Sequence, residues 1–195
     1  MLYSESMSHT AEDPPRHRYT VADYHRMAEV GILASNARVE LIDGEIIDMA
    51  PPGSLHAGTV NALVRWLARA AGDQAVLLVQ NPVSLSQHSE PQPDLAVARP
   101  RVDFYKTGHP RPEDVLLIVE VADTSLRFDR DIKVDLYAGH AIAELWLVDL
   151  RVKHLVRYRE PLQGAYQRVD HPDLGNPIEV PGLPSVRVDL SALFA

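Results

Sequence analysis

The stretch EDVLLIVEVADTS, residues 113–125, holds an unbroken apolar run from Val115 to Val119, carried on by Val121 and Ala122. A run of that length and β-branched content predicts a central strand covered on both faces. Glu120 interrupts it. An ionised carboxylate in a protein interior costs many kcal/mol unless it is paired or coordinated. A strand that buries Glu120 must therefore meet a partner brought from elsewhere in the chain.

Working outward, PDLAVA (93–98) and AVLLVQNPVSL (75–85) are further strand candidates upstream, and AELWLVDL (143–150) and KHLVRYRE (153–160) follow downstream. DRDIKVDLYAGHA (129–141) predicts a helix with Ile132, Leu136 and Tyr137 on one face and Gly139 near its end. HAGTVNALVRWLARAAG (56–72) is an amphipathic helix whose stripe is Val60, Leu63, Val64, Leu67 and Ala71. RVELIDGEIIDMA (38–50) is a hairpin around Asp43-Gly44, the pair a type I′ turn prefers. YTVADYHRMAEVG (19–31) predicts a short helix capped by Thr20 with Asp23 three residues on. Residues 1–17 read as a flexible lead-in and 18–195 as one domain. After residue 164 the sequence predicts a short strand, a Pro/Gly-rich loop and a terminal turn of helix. Strands interleaved with helices give an α/β fold, a mixed β-sheet core flanked by helices.

Composition narrows the function classes. The 195 residues are 46% hydrophobic and 24% charged, as in globular domains. With no Cys there is no disulfide framework, thiolate metal site or Cys nucleophile. No apolar run approaches the roughly 18 residues of a membrane span, and the N-terminus lacks a signal-peptide layout, so a cytoplasmic protein with no membrane partner is expected. HExxH, GxSxG, P-loop and GxGxxG motifs are absent. The net charge of −8, from 27 acidic and 19 basic residues, counts against a general nucleic-acid binder. An enzyme that meets nucleic acid through metal ions and a local basic patch remains compatible with it.

Three charges sit oddly. Asp94 opens an otherwise apolar strand, Glu120 lies in the most apolar one, and Lys133 follows Ile132 on the helix after it. Two acids on neighbouring strands can hold one divalent cation through hard oxygen ligands, as Mg²⁺ prefers. A nearby Lys can orient an attacking water and stabilise its deprotonated form. The bland readings are that Asp94 caps a strand, that Glu120 pairs with Arg38 or Arg127, and that Lys133 is solvated or engaged by Asp129 or Asp135.

Pro93-Asp94 followed by Glu120-Val121-Ala122 resembles the PD-(D/E)xK nuclease signature, with Ala122 where Lys is usual and Lys133 as the migrated lysine. More closely, the chain resembles the Uma-type family of bacterial, restriction-endonuclease-like proteins. The blocks that carry the resemblance are VELIDGEIIDMAPPGSLH, QPDLAVARP, LLIVEVADTS, DRDIKVDLYAGHAIAELWLVDL and the trailing VRY. The resemblance implies a restriction-endonuclease-like fold and Mg²⁺-dependent (or Mn²⁺-dependent) hydrolysis of phosphodiesters, most plausibly in DNA. It implies Asp94 and Glu120 as principal metal ligands, the Val121 backbone carbonyl and Glu40 as further ones, and Lys133 as the catalytic lysine. Gln92 and His56 are expected to line the cleft and contact substrate. Many proteins of this fold dimerise, which makes a homodimer the expectation. Where the family commonly has a small Ser, this chain has Asp123, adding negative charge beside Glu120. Two rivals stand beside the nuclease: a non-catalytic binding or assembly module with a weakened metal site, and a hydrolase of smaller phosphoesters.

Overall fold

The computed structural model describes residues 16–123 and 128–195. Residues 1–15 of the expected lead-in, and Arg127, lie outside the described residues. The chain begins with α1 (Val21–Glu29), a hairpin of β1 (Val39–Ile42) and β2 (Glu45–Asp48), and α2 (Ser54–Ala71). Three strands follow, β3 (Val76–Val79), β4 (Leu95–Ala98) and β5 (Val115–Ala122). A π-helical turn (Asp129–Lys133) then leads into α3 (Val134–Gly139), β6 (Glu144–Asp149), β7 (His154–Leu162) and β8 (Ala165–Asp170). A last hairpin pairs β9 (Ile178–Val180) with β10 (Leu183–Val188).

Six strands form one mixed sheet in the order β3-β4-β5-β6-β7-β8. Neighbours are antiparallel except β5 and β6, which run parallel. A parallel pair requires a crossover, and here the crossover carries the π-helical turn and α3. β5 and β6 are buried at every position, as strands covered on both faces must be. Leu117, Val119 and Val121 of β5 share a core with Leu63 and Leu67 of α2, while Ile118 packs with Tyr137 and Ile142 on the opposite face. Because side chains alternate across a strand, Glu120 points to the α3 side.

Local signals formed as the sequence predicts. Thr20 Oγ1 accepts from the Asp23 N–H at 3.1 Å and the Asp23 carboxylate accepts from the Thr20 N–H at 2.9 Å, closing a capping box on α1. Asp43 and Gly44 have φ of +48° and +78°, the two left-handed residues of a type I′ turn. Val60, Leu63, Leu67 and Ala71 are buried along α2.

Three expectations need correction. The strand expected over 75–85 ends at Val79, because Gln80 turns left-handed at φ +50°. The Pro/Gly-rich loop expected near the C-terminus holds the β9–β10 hairpin, whose Val180, Val186 and Val188 enter the α2-side core; residues 191–194 form a turn without becoming helix. On the crossover, Ile132 is 45% exposed and Lys133 only 4%. A π turn winds wider than 3.6 residues, so the helical period assigned the apolar face to the wrong neighbour.

Gly44 also locks the N-terminal segment to the hairpin: its carbonyl accepts from the Tyr19 N–H at 2.9 Å, and its own N–H donates to the His88 carbonyl at 2.7 Å. A Cβ at Gly44 would lie 2.5 Å from Arg18 Cβ, at a φ that side chains rarely adopt. Gly44→Ala is therefore expected to lower stability by about 1–3 kcal/mol, read as a lower urea midpoint with unchanged slope.

Candidate active site

The β4–β5 register aligns Leu95 with Val119, which sets Asp94 beside Glu120 at one end of the sheet. The Asp94 N–H donates to Glu120 Oε2 at 3.3 Å, and the Val121 N–H donates to Asp94 Oδ2 at 2.9 Å. Glu40 arrives from β1, nearly inaccessible at 2% exposure. Lys133 arrives from the crossover, its Nζ 3.2 Å from Glu120 Oε1 and 3.2 Å from Glu40 Oε2. The partner that Glu120 required is therefore Lys133. Arg38 lines the same cavity at its edge, but Lys133 makes the ion pair. Glu40 flanks a hairpin turn yet is buried, with Lys133 supplying its counter-charge.

The remaining expected residues gather around these four. His56, in the first turn of α2, donates from Nε2 to Asp94 Oδ2 at 3.0 Å. Its Nδ1 is buried with no hydrogen-bond partner among the described residues. The Gln92 N–H donates to Glu40 Oε2 at 3.0 Å and its side-chain amide to the Val39 carbonyl at 3.1 Å. Gln92 thus braces Glu40 against β1. Val121 and Asp123 both line the cavity, which has a volume of about 390 Å³.

Two polar contacts were not anticipated. Tyr137, read from sequence as packing, donates its hydroxyl to Glu120 Oε1 at 2.8 Å from full burial. Its place four residues after Lys133, on the same helical face, was the available signal. Gln80 donates to Asp94 Oδ1 at 3.3 Å. No signal marked Gln80, which looked like one more position in a strand.

Burial dominates the electrostatics. It pushes the Glu120 carboxyl up to about 8, against the downward pull of Lys133. Burial alone would depress the Lys133 ammonium, but the negative charges of Glu120, Glu40 and Asp129 outweigh it and hold Lys133 above the ordinary lysine range. Burial would likewise raise Asp94. The His56 hydrogen bond and charge, with the Val121 N–H and Gln80, overturn that and keep Asp94 below the usual carboxylate range. Asp94 in turn raises His56. Of the two acids, Asp94 ionises more readily than usual and Glu120 less readily.

Among the described residues, no three His, Asp or Glu side chains gather into a chelating group. The adjacent Asp94 and Glu120 carboxylates fit a different kind of site, one or two hard oxygens completed by water and substrate, which is how Mg²⁺ is commonly bound. Asp94 Oδ1, held only by the long Gln80 contact, has acceptor capacity to spare.

An α/β core with two acids meeting at the end of neighbouring strands and a lysine on the following crossover defines the restriction-endonuclease-like class. The chain belongs to the Uma2 family, described as "Putative restriction endonuclease", whose model matches residues 21–191. A crystal structure of a "putative nuclease belonging to DUF820" from Anabaena variabilis shares the fold at a TM-score of 0.61 and 17% identity, over 80% of this chain and 89% of that one. No curated protein matches the chain significantly. Among the described residues, no helix is long and apolar enough to cross a membrane.

Removing the Lys133 ammonium leaves Glu40 and Glu120 facing each other in the core. Lys133→Met is expected to cost about 3–5 kcal/mol in urea unfolding, and adding Glu40→Gln should recover part of it. The pH dependence follows from Glu120. Its folded pKa lies above the unfolded value, so its contribution is fully present below about 4.5 and is lost as pH rises through about 8. The wild-type melting temperature should fall between about pH 5 and 8 more steeply than that of Glu120→Gln, whose side chain does not titrate.

Proposed function

We propose that the chain is a metal-dependent endonuclease that hydrolyses phosphodiester bonds in DNA. The observation that carries this reading is the convergence of Asp94, Glu120 and Lys133 at the floor of one open cavity, each delivered by a different element. Family membership supports a nuclease activity.

Asp94 and Glu120 would hold Mg²⁺ or Mn²⁺, with Glu40 and the Val121 carbonyl as neighbouring oxygens. The bound ion would lower the pKa of an attacking water and offset charge on the phosphate. The chain's own residues prepare for that. His56 and the Val121 N–H fix Asp94 by Oδ2, so that Oδ1 would be the oxygen offered to the ion. Lys133 remains protonated and so serves as a donor and cation in place of a base. Two of its three N–H donors go to Glu40 and Glu120, leaving the third for a water or a phosphate oxygen. Glu120, whose pKa burial raises, would hold the ion as the carboxylate, which would couple metal affinity to pH. Gln92 keeps Glu40 in place. A homodimer would let two such centres address two strands, and the cytoplasm would supply both DNA and Mg²⁺.

One observation favours the non-catalytic alternative: Lys133 and His56 already compensate the carboxylates, so the centre is stable without an ion, and Asp123 adds charge at the cavity wall. Plasmid cleavage separates the two. With Mg²⁺ or Mn²⁺ the wild type is expected to nick or linearise DNA, while Asp94→Asn and Glu120→Gln, both folded, lose about a hundredfold or more. A folded wild type inert with either metal, across pH 6–9, would assign the fold to binding.

A further inference from the structure

The segment 99–111, RPRVDFYKTGHPR, joins the end of β4 to the approach of β5. Asp94 precedes β4 and Glu120 lies near the end of β5, so this loop sits at the opposite end of both strands from the cavity. It is no lid over the site. It carries four Lys/Arg against one Asp in a chain whose net charge is −8.

Its polarity is inverted. The only acid, Asp103, is engaged within the loop itself: its carboxylate accepts from Arg101 at 2.6 Å, from the Thr107 hydroxyl at 2.7 Å and from the Tyr105 N–H at 3.2 Å. Those contacts hold its pKa far below the ordinary range, with the Arg101 hydrogen bond the largest cause. The Arg101 guanidinium also stacks over the buried Tyr105 ring at 4.7 Å, and the Tyr105 hydroxyl donates to the Arg99 carbonyl at 2.9 Å. This network braces Phe104 and Tyr105 at φ of +52° and +63°, a conformation aromatic residues seldom take. The outcome is an internally braced loop that displays two apolar residues to solvent: Val102 is 99% exposed and Phe104 66%. Lys106, two residues after Phe104, and Arg111, at the far end of the loop beside Glu113 and Asp114, are exposed and form no ion pair among the described residues. In a monomer this arrangement gains nothing from burial, yet it is built and held.

Cations flanking an exposed aromatic ring on a rigid support are the chemistry that binds nucleic acid outside a catalytic cleft, phosphate to cation and base to ring. We infer that loop 99–111 is a second nucleic-acid contact surface, in which Phe104 stacks on an unpaired or unstacked base and Lys106 and Arg111 bind the flanking phosphates. This rests on the nuclease reading for its choice of ligand. Lys106 and Arg111 lie at the opposite end of β4 and β5 from Asp94 and Glu120, where they would anchor the substrate without adding to the charge around Glu120.

The test is fluorescence anisotropy with labelled single-stranded and duplex oligonucleotides in EDTA over a KCl series. It compares the wild type, Phe104→Ser and the double variant Lys106→Gln/Arg111→Gln, with melting temperatures to confirm folding and plasmid cleavage run in parallel. Phe104→Ser is expected to weaken binding about fivefold or more with the salt slope unchanged. The double variant should lower the magnitude of the slope by about 1.4–1.8. Glu120→Gln serves in the cleavage arm alone, where it should be inactive. Loop variants that bind like wild type while the wild type cleaves DNA would overturn this inference and leave the nuclease reading standing. Loop-dependent binding without cleavage by any form would uphold it and remove the catalytic reading. A wild type that binds no oligonucleotide would overturn it as well.

Discussion

A buried ammonium shared by two buried carboxylates is the constraint on which this structure turns. Lys133 lies 3.2 Å from both Glu40 and Glu120, with all three almost closed to solvent. Taking such charges out of water costs several kcal/mol per ion, and an apolar replacement of the same volume often does better. The triad also ties together three separate parts of the chain: the β1–β2 hairpin, the central strand β5 and the crossover. Tyr137 and the Asp94 N–H also donate to Glu120, so burial of the carboxyl is tolerated even as its pKa is raised.

The sheet topology explains how the charges meet. Antiparallel β4 and β5 bring the start of one strand beside the end of the other, so Asp94 and Glu120 share an end of the sheet. The parallel β5–β6 pair obliges the chain to cross over, and the first turn of that crossover carries Lys133 back to the same end. Widening that turn into a π helix inserts Lys133 and expels Ile132, a local irregularity of a kind often found at functional sites. α2 contributes through its first turn alone, where His56 reaches Asp94.

Much of this was legible in the sequence. Apolar runs, the Asp43-Gly44 turn and the α2 stripe each specify their element locally, and the misfit of Glu120 in an apolar strand announced a partner. Asp94 and Lys133 followed from the resemblance as much as from chemistry. Where sequence fell short, the determinant was non-local. Gln80 became a left-handed residue beside Asp94 only because the strand ended there. Tyr137 looked like core because an aromatic ring on a helix stripe is normally core, and its hydroxyl partner lay on another element. The β9–β10 hairpin hid behind its Pro and Gly residues, which punctuate strands as readily as they fill loops. Helical periodicity placed Ile132 inward because it assumes 3.6 residues per turn.

The central claim is that Glu120 is buried in order to bind a divalent cation beside Asp94, with Lys133 holding the charge in its absence. Calorimetric titration of Mn²⁺ into the wild type and Glu120→Gln, at pH values either side of 8, tests it most directly. The account predicts saturable binding to the wild type that tightens as pH rises and releases a proton, and none to the folded variant. A wild type that binds no Mn²⁺, or a variant that binds it equally well, would show that Glu120, Glu40 and Lys133 form a structural charge cluster and that no metal centre is built on them.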